Sequence, residues 1–126
     1  MAMHVHSAAV WVSNQKKALE FWEGTLGFER RIDQQMGPDN TFVTVAPEGS
    51  FAELAINEAA KFGQSTDRIG GDSGISFVID DVTSWYEEMK AKGVSFSGPP
   101  EKMPWGDVGA HFEDPDGNSF FINGKK

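Results

Sequence analysis

At 126 residues the chain fits one domain and is long enough to bury a core, and its ten Phe and four Trp argue against disorder. Nineteen acidic against eleven basic side chains leave a net charge of −8, which repels phosphate backbones and speaks against a nucleic-acid partner. No apolar run is long enough to span a bilayer, the first residues lack a signal-peptide pattern, and the absence of cysteine removes disulfides and thiolate chemistry, so a cytoplasmic protein free of membrane is expected.

Val10-Trp11-Val12 ends an extended segment, and Asn14 is placed to cap a helix. Ala18, Phe21, Trp22, Thr25 and Leu26 then recur at helical spacing until Gly27 stops the run. Strand-like sequence follows over residues 28–34, 41–46 and 51–57. Residues 58–73 are polar and carry Gly63, Gly70 and Gly71, which reads as a linker.

The same order then repeats. A strand over 75–79 leads to Asp80 or Asp81 as a cap, and Val82, Trp85, Tyr86 and Met89 form an apolar helix stripe ended by Gly93. Further strands are expected over 94–97, 108–113 and 119–123. The last two are joined by Asp114-Pro115-Asp116-Gly117-Asn118, where Pro115 presets one turn dihedral and Gly117 accepts a positive φ. Residues 1–57 and 74–126 are thus two βαβββ modules within a single domain, 1–126, of α+β class. The segment 99–106, with Pro99, Pro100 and Pro104, reads as a stiff arm carrying Trp105.

The opening run Val10-Trp11-Val12-Ser13-Asn14, with 18–22 and Leu26-Gly27-Phe28, and the closing run Phe112 to Asn118 resemble the two signatures of vicinal oxygen chelate proteins. That superfamily contains glyoxalases, bleomycin-resistance proteins and extradiol dioxygenases. The resemblance spans nearly the whole chain. It implies a curved, open mixed β-sheet barrel with helices on the outside, a central cavity, and a homodimer.

It also implies a divalent metal (Zn, Mn, Ni or Fe) held by ligands from four strands and acting as a Lewis acid. Carried over position by position, those ligands fall on Ser7, Glu53, Gly74 and Phe121, so that Glu53 alone is a donor of the usual kind. A hydroxyl, a carboxylate, a glycine and a phenylalanine do not enclose a transition metal, and no cofactor is expected. A rebuilt site would draw on Glu53 with His6 or His111. Strand parity opposes His6, because Ser7, Ala9 and Trp11 share one face while His6, Ala8, Val10 and Val12 share the other.

Glu53 interrupts an apolar strand. In a cavity it would serve as a general acid or base, or as a fixed acceptor; on a sheet edge it would only be solvated. Ser7, Trp11, Trp105, His111 and Phe121 complete the expected ligand-binding group, an aromatic pocket with a few polar atoms. His111 reads equally as a pocket group or as a strand residue facing solvent. Three functions follow: a metal-free binder of a small aromatic or cationic molecule; a lyase, isomerase or dioxygenase relative using Glu53; or an interaction module without a ligand.

Overall fold

The computed structural model describes residues 1–126 throughout. Its contacts gather into two units, Met1–Ile69 and Gly70–Lys126.

In the first unit, β1 (Ser7–Val12) leads into α1 (Gln15–Leu19), which widens into a π-helical turn at Glu20–Thr25. Asn14 caps α1 by accepting the Lys17 N–H at 2.9 Å. The widening shows in Leu26, whose N–H reaches back five residues to the Phe21 carbonyl at 2.9 Å. It sets Phe21 and Trp22 edge to face at 5.3 Å, both buried. Strands β2 (Glu29–Gly37), β3 (Asn40–Ala46) and β4 (Glu53–Glu58) follow. They build a sheet of order β1-β4-β3-β2 in which β1 and β4 run parallel and the other pairs antiparallel. Val10, Val12, Val43, Val45, Leu54 and Ile56 are its buried aliphatic residues. The Gln15 amide stitches two strands together by donating to the carbonyls of Thr41 (2.8 Å) and Ile56 (2.9 Å).

The second unit repeats this plan. β5 (Gly71–Val78), α2 (Val82–Ala91), β6 (Ser95–Phe96), β7 (Glu101–Lys102), β8 (Val108–Glu113) and β9 (Asn118–Gly124) give the order β5-β9-β8-β6, with β7 also paired to β8 and β5 parallel to β9. Its core is aromatic: Phe112 stacks on Phe120 at 5.4 Å, and Trp85 of α2 meets Phe112 at 5.1 Å. The expected turn forms between β8 and β9. The Asp114 N–H donates to the Asn118 carbonyl at 3.0 Å, and Gly117 has φ 80°. The chain is therefore a mixed α+β protein built on two sheets with few helices. No helix is long and apolar enough to cross a membrane.

Three segments differ from expectation. Residues expected to be linker form two 3₁₀ turns, Ala59–Phe62 and Thr66–Arg68, and then the start of β5. The arm at 99–106 is the end of a hairpin: β6 and β7 are two pieces of one edge strand along β8, broken by the Pro99-Pro100 pair, which supplies no N–H for pairing. Trp105 sits in the tight turn between β7 and β8, where Gly106 N–H donates to the Met103 carbonyl at 2.9 Å. Phe51 precedes β4 and is 60 % exposed, packed on the His4 ring.

The α2 cap is Asp81, whose carboxylate accepts the Ser84 N–H at 3.0 Å and its hydroxyl at 2.9 Å. The backbone bond from Ser84, followed by its hydroxyl, holds the Asp81 carboxyl below the ordinary aspartate range. A depressed folded-state value means that this stabilisation is present at neutral pH and is lost as pH falls through it. Asp81→Ala should therefore lower Tm at pH 7, and the gap to the parent protein should narrow in melts at pH 3.

Candidate functional site

In the first unit, β1 and β4 lie in a register that pairs Ser7 with Glu53 and Trp11 with Asn57. Parallel partners project to the same side, so Ser7, Trp11, Glu53 and Asn57 share the face opposite the Val10 and Val12 side chains. Glu53 is on an interior strand, and its side chain is only 11 % exposed.

A β-bulge in β2 decides what surrounds Glu53. The β2–β3 register shifts between Arg30 and Asp33, which leaves the Ile32 N–H without a strand partner. The hydroxyl of buried Thr44 accepts that N–H at 3.0 Å and donates its own proton to Glu53 Oε1 at 2.8 Å. Arg31, inside the bulge, brings Nη1 to 3.5 Å from Glu53 Oε2 while Nη2 donates to the Pro47 carbonyl. His6 Nε2 lies 3.7 Å from Glu53 Oε1. Parity does not turn His6 away, because β1 starts one residue later and the His6 carbonyl instead accepts the Glu53 N–H at 2.8 Å. Glu53 thus has a hydroxyl, a guanidinium and an imidazole for neighbours.

Four residues along β1, the Trp11 ring meets Phe62 edge-on at 5.9 Å, and the Arg68 guanidinium lies over it at 5.2 Å from the centroid. Both partners come from the 3₁₀ turns after β4.

The second unit gathers the other expected residues. His111 and Phe121 are paired across β8 and β9, with ring centroids 4.9 Å apart, and Trp105 meets Phe121 edge-on at 6.4 Å. Trp105 Nε1 donates to Asn123 Oδ1 at 3.2 Å, and the Asn123 amide donates to Asp107 at 2.9 Å. That bond, with Lys125 assisting, holds the Asp107 carboxyl below its ordinary range. The tip of the Phe121 ring comes close to Gly109, where an added Cβ would stand 2.5 Å from Phe121 Cζ. A hollow of about 160 Å³ opens beside this group, with Ser97, Pro99, Met103, Gly109 and His111 on its wall. A larger open hollow of about 660 Å³ lies in the first unit between the helical segment and β2–β3, crossed by Arg30 paired with Glu23 and Asp33. None of the residues expected to bind a ligand or metal lines it. Its wall mixes charged Lys16, Glu20 and Arg30 with apolar Leu19 and Val43.

Sequence reasoning missed Arg31, Thr44, Asn57, Phe62 and Arg68. Thr44 and Asn57 carried a signal, as polar residues in apolar strands. Arg31 had none, because the bulge aims it.

The donor set does not suit the metal that the family resemblance implies. No three His, Cys, Asp or Glu side chains converge. Glu53 and His6 are two donors with a guanidinium beside them, and Gly74 and Phe121 offer no side-chain donor.

Two βαβββ units, in each of which the first strand runs parallel to the last, define a glyoxalase-like α+β protein. The chain belongs to the Glyoxalase/Bleomycin resistance protein/Dioxygenase superfamily, whose profile matches residues 4–122. It is 36% identical over 122 residues to the uncharacterized protein YetH of Bacillus subtilis (strain 168), covering 97% of this chain and 98% of that protein. Among solved structures it resembles a superfamily member from Sphaerobacter thermophilus DSM 20745, with 42% identity, TM-score 0.88 and 98% of each chain covered. It also resembles TnmS3, an antibiotic binding protein from Streptomyces sp. CB03234, with 30% identity, TM-score 0.81, and 99% of this chain and 98% of that one covered.

Proposed function

We propose that this protein binds a small, planar aromatic molecule without a metal, as a cytoplasmic homodimer. The observation that carries the reading is the state of Glu53. At the family position for a metal carboxylate, it is tied to Thr44 and Arg31. A guanidinium 3.5 Å from a carboxylate supplies the positive charge a cation would otherwise supply there. Within the same unit as Glu53, the Trp11–Phe62 pair offers stacking surface in place of coordination. Similarity to an antibiotic binding protein at 30% identity supports the same class of activity.

A second reading, an enzyme of lyase, isomerase or dioxygenase type, draws on His6 standing 3.7 Å from Glu53, an imidazole beside a carboxylate. One experiment separates the two. Protein purified without chelators is assayed for metal by mass spectrometry, titrated with zinc, manganese, nickel and iron, and then titrated with 2-naphthol while tryptophan fluorescence is followed. Substoichiometric metal with saturable quenching supports the binder. One metal per chain, lost in Glu53→Gln, overturns it and favours the enzyme. Light scattering tests the dimer.

A further inference from the structure

The Trp11 end of the first sheet holds features that metal-free aromatic binding does not by itself require. Asn57, the register partner of Trp11, is 5 % exposed, and its Oδ1 is buried without a hydrogen-bond partner. A buried amide oxygen left unpaired is uncommon and costly, and it is repaired when a donor arrives. The segment that returns over this face meets Trp11 near its far end, through Phe62 and the exposed Arg68. It consists of two short 3₁₀ turns, anchored at its start by buried Ala59 and by Lys61 3.7 Å from Glu58 of β4, and further on by a 3.3 Å bond from Asn40 to the Lys61 carbonyl, the Phe62 edge and the Arg68 guanidinium. Arg68 is exposed, and its guanidinium donates to the neutral Gln64 amide at 2.9 Å rather than to a carboxylate. A cation–π contact made by an exposed cation is weak, so the Trp11 face is readily given up to a better stacking partner.

Resting on the binding role proposed above, we infer that Trp11, Arg68 and Asn57 form an oxyanion-reading subsite for a planar aromatic acid. The ligand ring takes the place of Arg68 on Trp11, its carboxylate or phenolate is held by the displaced guanidinium, and a ring hydroxyl or amine donates to Asn57 Oδ1. Charge argues for an anion here despite the net charge of −8. The one carboxylate named on this face, Glu53, is already paired with Arg31, which leaves Arg68 as a cation without a counter-ion bond. A planar guanidinium favours a planar oxyanion, which it grips with two N–H groups.

Calorimetric titration with four probes tests this: 3-hydroxy-2-naphthoate, plain 2-naphthoate, neutral 2-methoxynaphthalene and cationic 2-naphthylmethylammonium. The acid should bind about tenfold or more tighter than the neutral ring, as one charge-assisted contact gives. Arg68→Ala, an exposed change that leaves the fold intact, should erase that preference while sparing the neutral probe. Trp11→Phe should weaken both, and Asn57→Ala should weaken the hydroxynaphthoate more than plain 2-naphthoate. Equal affinity of the parent and Arg68→Ala proteins for the acid, or tighter binding of the cation, overturns the subsite and leaves the wider binding role standing. Binding of no probe at all overturns both.

Discussion

Gly124→Ala should destabilise the protein by about 3 kcal/mol and deplete folded material at 37 °C, although the change adds a single methyl group. Gly124 ends β9 beside the turn that leads into α2. A Cβ there would overlap the Ile79 carbonyl oxygen and press on its carbon and on Val82 Cγ2 at 3.2 Å. No rotamer relieves a clash with backbone. Both strands are also pinned: Ile79 N–H donates to the Asn123 carbonyl at 3.0 Å, Val82 N–H to the Lys126 carbonyl at 2.6 Å, and Lys126 N–H to the Asp80 carbonyl at 3.2 Å. Relief requires the end of β9 to part from α2, opening the core beneath Val82, which is wholly buried. Gly24→Ala is the control. It lies in the helical segment with open space around it, so urea denaturation should show no loss. Equal stability for the two variants would mean that β9 and the 79–82 turn are looser than their hydrogen bonds indicate.

The repeated plan was legible because each of its signals is local. Helical spacing, an Asn or Asp cap and a stopping glycine describe both helices, and Asp114 to Asn118 describes its hairpin from five residues. Pairing is not local. No residue pattern says that the first strand of each unit lies parallel to the last, and the register that sets Ser7 beside Glu53 follows from that choice. The start of β5 was hidden for a related reason. Gly70 and Gly71 read as linker, yet they lead straight into β5, and the positive φ of Gly74 allows the irregular stretch between Asp72 and Ser76 through which the strand stays alongside β9.

At the site, strand alternation placed Trp11 on the face that also carries Glu53, because alternation is intrinsic to an extended chain. It could not show what a bulge or a 3₁₀ turn aims at that face. Arg31 reaches Glu53 only because β2 shifts register, and Arg68 reaches Trp11 only because residues 59–68 turn back rather than run on. Both are cations. An apolar strand with one carboxylate suggested a lone acid in a pocket, whereas the assembled face neutralises that acid.

That neutralisation predicts the effects of Arg31→Met. Arg31 is 24 % exposed and Glu53 11 %, so the variant strands a largely buried carboxylate with only Thr44 and a partly exposed imidazole beside it. Stability should fall by about 2 kcal/mol, the scale of a lost hydrogen bond to a charged group. Some of the fall will come from the Pro47 carbonyl and Glu29, which Arg31 also holds. The double variant Arg31→Met/Glu53→Gln isolates the pair, because removing both charges should recover part of the loss. Thr44→Val removes the other partner and orphans the Ile32 N–H as well, at about 1–3 kcal/mol in the same assay. The sharper outcome concerns metal. With the guanidinium gone, a carboxylate and an imidazole 3.7 Å apart face each other with no competing cation, so zinc titration should show weak saturable binding absent from the parent protein. Adding His6→Ala should remove it. If the parent binds zinc stoichiometrically and Arg31→Met changes nothing, Arg31 must swing away on its own, and the pairing on which the metal-free reading rests would not survive in solution.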